Sequence, residues 1–231
     1  MKVVIAPDSF GDTLSAPEAA AAIAAGFDEA AGPVELVSAP MSDGGPGFVD
    51  ALASGLPDAR RVSVPTLDPL GRPVEGTVLV AAGGAGYVES AQAAGLALVD
   101  PLERDPAVAS SYGVGLLMRG AVESGARTLY VGLGGSATND GGAGLLAAVG
   151  VVAYDAAGVA VGPGPLALLA ADRVEGFAAL RPASVVGVVL AKTVVTALLL
   201  QVGVFSSVFT GLSRGVPAGL VLRRRDHAGE P

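Results

Sequence analysis

The chain alternates short apolar runs with alanine- and glycine-rich runs of helical length, and this alternation most constrains its fold. Val3–Ala6 and Val34–Ala39 have the length of strands, and Glu18–Ala31 between them is predicted to be a helix. The pattern returns further on, where the helical run Val108–Ser124 precedes the apolar strand Arg127–Gly132. Alternating strands and helices favour parallel strand pairing with helices on both faces of a sheet. The sequence therefore predicts an α/β fold.

Local signals indicate where several elements begin and end. Ser15-Ala-Pro-Glu18 has the pattern of a capping box, in which each polar side chain bonds the backbone N–H of the other residue. Gly32-Pro33 is expected to end the helix that follows. Four further elements are predicted: the strands Val74–Ala81 and Tyr87–Ser90 and the helices Phe48–Ala53 and Gly141–Val149.

Composition excludes several classes of protein. A hydrophobic fraction of 51% with 16% charged residues is not that of a disordered chain. The net charge of −8 argues against a general nucleic-acid binder, which needs a basic face. The absence of cysteine and the single histidine, His227, exclude a disulfide scaffold, a zinc–thiolate site and a histidine metal cluster. The first apolar run is too short for a signal peptide, so we expect a cytoplasmic protein.

Thr193–Leu212 is a segment of twenty uncharged, largely apolar residues, followed by Arg214 and Arg223-Arg224-Arg225. Its length is enough to span a bilayer, and flanking arginines are typical of a cytoplasmic end. Gln201, Gly203 and neighbouring serines weaken that signal. We therefore favour buried strands of the α/β core, and a membrane-anchored protein is the alternative.

The strongest local feature is the polar, glycine-rich run from Gly132 to Gly144, which lies between a predicted strand and a predicted helix. Glycines permit positive φ angles and close approach of the backbone, and the free N–H groups at a helix start favour an anion. Ser136, Thr138 and Asn139 add further hydrogen-bonding groups. The run matches neither the Rossmann nor the P-loop pattern. It predicts an anion site rather than a tightly packed turn alone.

Acidic side chains follow three predicted strands: Asp8, Asp43 and Asp140. Ligands of open α/β sheets bind at the carboxyl ends of the strands, so we expect these aspartates to converge on one crevice. Converging carboxylates beside a phosphate-binding loop are typical of a magnesium–phosphate site or a general base. The alternative is that each aspartate caps a turn or helix.

Six motifs occur in one order along residues 3–150. They are Val3-Val-Ile-Ala-Pro-Asp-Ser-Phe10, Thr13-Leu-Ser-Ala16, Ser42-Asp-Gly-Gly45 with Gly47, Thr66-Leu-Asp-Pro-Leu-Gly71, Ser110-Ser-Tyr-Gly113 and Gly134-Gly-Ser-Ala-Thr-Asn-Asp-Gly-Gly142. The set resembles the bacterial glycerate kinase family, and the last motif is the most specific match.

The resemblance implies ATP-dependent phosphorylation of D-glycerate with Mg2+, and 2-phosphoglycerate is the favoured product. It implies a Rossmann-like parallel sheet portion, whose N-terminal part is residues 1–60, and a second α/β domain over 61–222, followed by a charged tail, 223–231. The implied partners are D-glycerate and ATP, without nucleic acid or membrane, and self-association is left open. The implied site residues are catalytic Asp8 and Asp43, substrate- or phosphate-binding Ser9, Gly44, Gly45, Gly134, Gly135, Ser136, Thr138 and Asn139, and the metal ligand Asp140.

The chain also departs from the family pattern. Gly11 and Asp12 stand where the family usually has a lysine. Val185–Ala191 matches a later family strand, but the acidic, amide and lysine residues expected after it are replaced or absent, and the family's last glycine-rich segments have no counterpart. We therefore expect a fold that is incomplete relative to the family and a chain with little kinase activity by itself. A non-catalytic glycerate- or phosphate-binding protein is the alternative.

Overall fold

The structure is a computed structural model that describes residues 1–11, 13–31, 34–176, 184–188 and 222–223. Five α-helices and ten strands lie in these ranges. The helices are α1 Ala16–Ala31, α2 Phe48–Gly55, α3 Ala91–Ala94, α4 Tyr112–Glu123 and α5 Ala143–Ala148. The strands are β1 Lys2–Ile5, β2 Glu35–Ser38, β3 Arg60–Leu67, β4 Pro73–Val80, β5 Ala85–Glu89, β6 Thr128–Gly132, β7 Val151–Tyr154, β8 Arg173–Gly176, β9 Ser184–Val188 and β10 Leu222–Arg223.

The strands form three sheets, and the predicted α/β class is confirmed. β1 and β2 pair in parallel, and the largest sheet has the order β3-β4-β5-β6-β9. The pairs β5–β6 and β6–β9 are parallel, as expected. The pairs β3–β4 and β4–β5 are antiparallel, so the expectation of parallel pairing is wrong for them. The reason is that only short turns join these strands, and a parallel crossover needs a dozen or more residues. The third sheet, β7-β8-β10, is also antiparallel.

The capping box at the start of α1 is formed as the sequence predicts. The Ser15 backbone N–H donates to Glu18 Oε2 over 2.9 Å, and the Ser15 hydroxyl donates to the same oxygen over 2.6 Å. The Glu18 backbone N–H in turn donates to Ser15 Oγ over 3.4 Å. These bonds lower the pKa of Glu18, the side-chain bond to Ser15 contributing most. The helix therefore begins at Ala16, two residues before Glu18.

Helices cover both faces of the largest sheet. Val78 of β4 belongs to the main core with Leu117 and Met118 of α4, whereas Leu79 packs with Phe48 and Val49 of α2. Successive strand residues point to opposite faces, so α4 and α2 lie on opposite sides of the sheet.

Two glycines let α4 approach β3 closely. A Cβ atom on Gly113 would lie 2.0 Å from the carbonyl oxygen of Leu67, and one on Gly120 would lie 2.6 Å from the Val64 side chain. Because backbone cannot yield as a flexible side chain can, the contact at Gly113 requires glycine. This close packing places the first turn of α4 beside the chain that follows β3.

The division into residues 1–60 and 61–222 stays a prediction. α2 precedes residue 60 in sequence, yet its buried face packs on the sheet that β3 begins.

Two other expectations concern residues outside the described ranges. The segment Thr193–Leu212 lies outside them, as does all but the first residue of the tail 223–231. Within the described part of the chain, no helix is both long and apolar enough to cross a membrane.

Candidate functional site

Two glycine-containing loops meet through their backbones at the carboxyl end of β6, in the largest sheet. One follows β6 and carries Gly134; the other, residues 42–47, precedes α2. A Cβ atom on Gly134 would lie 2.6 Å from the Cα atom of Gly45, and one on Gly132 would lie 2.7 Å from the carbonyl oxygen of Gly44. Two segments that the sequence singled out separately are therefore in direct contact.

The glycine-rich loop after β6 is also bonded to the end of α3. The Ala137 N–H donates to the carbonyl of Ala94 over 2.7 Å, and the Gly135 carbonyl accepts from the Leu96 N–H over 2.8 Å. Gly135 has a φ of +63°, which few residues other than glycine adopt. The side chains of Ser136 and Asn139 remain exposed and that of Thr138 half-buried, so these polar groups are accessible to a ligand.

Asp140 is buried, with 2% of its surface exposed, and its carboxylate is occupied by protein donors. Oδ2 accepts hydrogen bonds from the Ser111 N–H (2.8 Å), the Ser111 hydroxyl (2.9 Å) and the Gly144 N–H (3.1 Å). Oδ1 accepts from the Gly142 N–H over 3.0 Å. Four donors approach the capacity of a carboxylate. The arrangement favours a role in joining the glycine-rich loop to the start of α4.

Asp8 and Asp43 differ from Asp140 because both are exposed. Asp43 Oδ1 accepts the Gly45 N–H over 2.8 Å, and Asp8 Oδ1 accepts the Ser9 N–H over 2.7 Å. The Met41 N–H donates to the Pro7 carbonyl over 2.8 Å, which holds the Asp8 segment beside the start of the loop 42–47. Each aspartate therefore keeps carboxylate capacity for a ligand.

The expected convergence of three aspartates on one crevice stays a prediction, and the structure distinguishes Asp140 from the other two by burial. Among the described residues, no group of three or more His, Asp or Glu side chains is placed to hold a metal ion. Burial and bonding turn the Asp140 carboxylate inward, whereas those of Asp8 and Asp43 face solvent. Mg2+ in phosphate sites is commonly held by one or two carboxylates together with substrate phosphates. Asp8 and Asp43 are exposed as such ligands must be, whereas the Asp140 oxygens already accept four hydrogen bonds from the protein.

Glu89 is a buried acid at the end of β5 that sequence reasoning did not place in the site. Its Oε2 accepts the N–H of Val49, at the start of α2, over 3.1 Å. Burial raises the pKa of Glu89, against the lowering effect of hydrogen bonds from Val49, Gly47 and Gln92. The contact joins residues 40 positions apart, so no local sequence pattern could have indicated it.

The turn after β3 is organised by Asp68, which is also buried. Asp68 accepts hydrogen bonds from the Leu70 and Arg72 N–H groups and pairs with the Arg72 guanidinium at 2.5 Å. Burial pushes the pKa of Asp68 upward, but these bonds outweigh it and the pKa is lowered. The turn borders a cavity of about 370 Å3 whose other walls include Ser110, Tyr112 and Gly144.

Comparison with known proteins agrees with this architecture. The chain matches the Glycerate kinase family over residues 3–211. It is 45% identical over 165 residues to the glycerate 2-kinase of Escherichia coli K12, covering 71% of this chain and 43% of that protein. It is 41% identical over 180 residues to the glycerate kinase of Bacillus subtilis 168, covering 77% and 47%.

A solved structure is also similar. The crystal structure of a Salmonella typhimurium LT2 protein assigned as glycerate kinase 2 matches with a TM-score of 0.67 and 39% identity, over 75% of this chain and 46% of the other. The chain therefore belongs to the glycerate kinase family. It spans less than half the length of the curated relatives named above.

Proposed function

We propose that the protein carrying this chain phosphorylates D-glycerate with ATP, and that 2-phosphoglycerate is the product. The observation that supports it most is the backbone contact between the Asp43 loop and the glycine-rich loop. One of these loops carries an exposed carboxylate and the other an exposed hydroxyl and an exposed amide, and phosphoryl transfer depends on positioning such groups. The cytoplasmic location expected from the sequence belongs to the same proposal.

The glycine-rich loop would hold anionic oxygens of glycerate or phosphate. Ser136 and Asn139 are exposed donors, and the absence of side chains at Gly134 and Gly135 lets an anion approach the backbone. Lys2, one of the two lysines of the sequence, already forms an ion pair with Glu35 over 2.9 Å. Charge on the phosphates would therefore be offset by backbone N–H groups, by arginine and by Mg2+ held by Asp8 or Asp43. When bound, Mg2+ supplies neutralisation of phosphate oxygens.

Asp43 is our first choice for the group that accepts the proton of the attacking hydroxyl. Its carboxylate is exposed, and its Oδ1 is oriented by the Gly45 N–H, which belongs to the backbone that contacts Gly134. A positioned carboxylate base contributes about 10²- to 10⁴-fold to a rate. Asp8 is the alternative base, since its segment borders the same loop.

The test uses residues 1–231 with ATP, Mg2+ and D-glycerate. ADP release measures turnover, phosphorus NMR distinguishes 2- from 3-phosphoglycerate, and calorimetry measures binding of D-glycerate and of ATP separately. We expect binding, with slow turnover because this chain covers less than half of its relatives' length. Binding without detectable turnover would favour the non-catalytic alternative for this chain, and absence of both would contradict the proposal.

Asp43→Asn tests the catalytic assignment, and Asp105→Asn is its matched control. Asp105 is likewise exposed and likewise accepts the N–H of the residue two positions on, Ala107, over 2.9 Å. We expect Asp43→Asn to lower turnover by about 10²-fold or more and Asp105→Asn to leave it unchanged. Equal effects of the two substitutions would show that the loss reflects turn geometry rather than a base.

A further inference from the structure

Helix α2 receives its N-terminal cap from a distant strand. Its N-cap residue is Gly47, which has a φ of 89° and no side chain that could bond the free N–H groups. Glu89 supplies the acceptor instead: its Oε2 accepts the Val49 N–H over 3.1 Å. An anion at this end is favoured by the helix dipole as well as by the bonds themselves. The start of α2 therefore depends on β5.

The same end of β5 is bonded to the glycine-rich loop. Glu89 lies opposite Gly132 in the parallel pair of β5 and β6, and the next N–H, that of Ser90, donates to the Gly132 carbonyl over 3.0 Å. The Glu89 side chain thus bonds the first turn of α2, directly after the loop 42–47, and the Ser90 backbone bonds the last residue of β6, directly before the glycine-rich loop. The end of β5 is therefore bonded both where the loop 42–47 ends, at the start of α2, and where the glycine-rich loop begins, at the end of β6.

The surroundings of Glu89 disfavour its charged form, apart from the hydrogen bonding of its carboxylate. The side chain is 6% exposed, and among the described residues Asp50 carries a like charge that raises the pKa of Glu89 in addition to burial. Gln92 accepts the Thr77 N–H over 2.6 Å with its side-chain oxygen, and its side chain lowers the pKa of Glu89. Hydrogen bonding offsets the cost of burying this carboxylate, and the same bonding fixes where the bonded groups lie.

We propose that Glu89 is a positioning residue that fixes the Asp43 loop against the glycine-rich loop without touching the substrate. The proposal rests on the proposed function only in taking these two loops as the substrate site. The geometric part of the proposal is that the Glu89 carboxylate controls the contact of Gly45 with Gly134, and this part can be tested without any kinase activity.

The test compares Glu89→Ala with Glu89→Gln, which keeps an acceptor, and with the exposed control Glu123→Ala. Backbone amide NMR of the chain without ligand reports on each loop. In Glu89→Ala we expect the Gly45 and Gly134 amide resonances to shift and exchange of the Ser90 amide to accelerate by about tenfold or more. Glu89→Gln restores the native spectrum of both loops, and Glu123→Ala leaves them unchanged.

Two results would overturn the proposal. Changes confined to Gly47 and Val49 in Glu89→Ala would show that the carboxylate caps α2 and positions nothing else. Equal changes throughout the β3–β4 hairpin would show a general loss of stability. Because both readouts are taken without substrate, they remain informative even where the kinase proposal fails. Where turnover is measurable, Glu89→Ala is expected to lower kcat by about tenfold or more, with rescue by Gln.

Discussion

Replacing Asp140 by alanine is expected to destabilise the chain strongly, because the carboxylate is a buried junction. Removing it leaves the N–H groups of Ser111, Gly142 and Gly144 without their acceptor, together with the Ser111 hydroxyl. A buried donor left unsatisfied costs about 1–3 kcal/mol, so three backbone donors would cost about 3–9 kcal/mol if their effects were additive. Neighbouring effects are not additive, and removal of a buried charge returns part of the cost.

We therefore expect Asp140→Ala to lower the free energy of unfolding by about 4 kcal/mol, which for a chain of this size lowers Tm by about 8–16 °C. Circular dichroism during urea and thermal unfolding measures this, since the sequence has no tryptophan. Asp100→Ala is the control: Asp100 is exposed and accepts one N–H, that of Leu102, over 2.8 Å. Its loss is expected to cost about 1 kcal/mol. A loss below about 1 kcal/mol in Asp140→Ala would refute the four-bond junction.

Three further predictions concern the site loop, a helix start and the turn after β3. Gly134→Ala should reduce the rise in Tm that D-glycerate or phosphate produces. Gly83→Ala is the control and should leave that rise unchanged, because nothing lies within 4 Å of the added Cβ. Equal responses of the two variants would place the ligand elsewhere. Ser15→Ala removes the capping box and should cost about 0.5–2 kcal/mol in urea unfolding. Because the pKa of Asp68 is lowered, its stabilisation is present above its usual value of 3.8 and lost as pH falls through the folded value. The Tm difference between wild type and Asp68→Asn should therefore narrow below pH 3.8, and a constant difference would argue against the buried ion pair.

The elements with strong local signals were predictable from the sequence. β1, β2 and β6 are apolar runs, and the structure places each within two residues of its predicted bounds. β3 carries Arg60, Arg61 and Pro65 and gives no such signal, because it lies at the edge of its sheet. Edge strands tolerate charge and proline that a central strand would exclude, so periodicity alone does not reveal them.

The candidate site was predictable in its loops but not in its side-chain roles. The glycine-rich loop and the loop 42–47 were both identified, since glycine and small polar residues at strand ends are a local pattern. An aspartate that binds a ligand and one that caps a turn look alike in sequence, and burial distinguishes Asp140 from Asp43 only in three dimensions. The bond from Val49 to Glu89 depends on tertiary placement and leaves no trace in local sequence.

The contact between Gly45 and Gly134 has a consequence for the motion of the site. Glycine-rich loops normally have high conformational entropy, and ordering them at each binding event would weaken affinity. Here the two loops immobilise each other through main-chain atoms, so no side-chain rotamer has to be selected at the contact. The entropy of ordering these loops is then lost once, during folding, and not again when the small anion that we propose is bound. We therefore expect fast-timescale order parameters for these glycines to match those of the neighbouring strands rather than those of open turns.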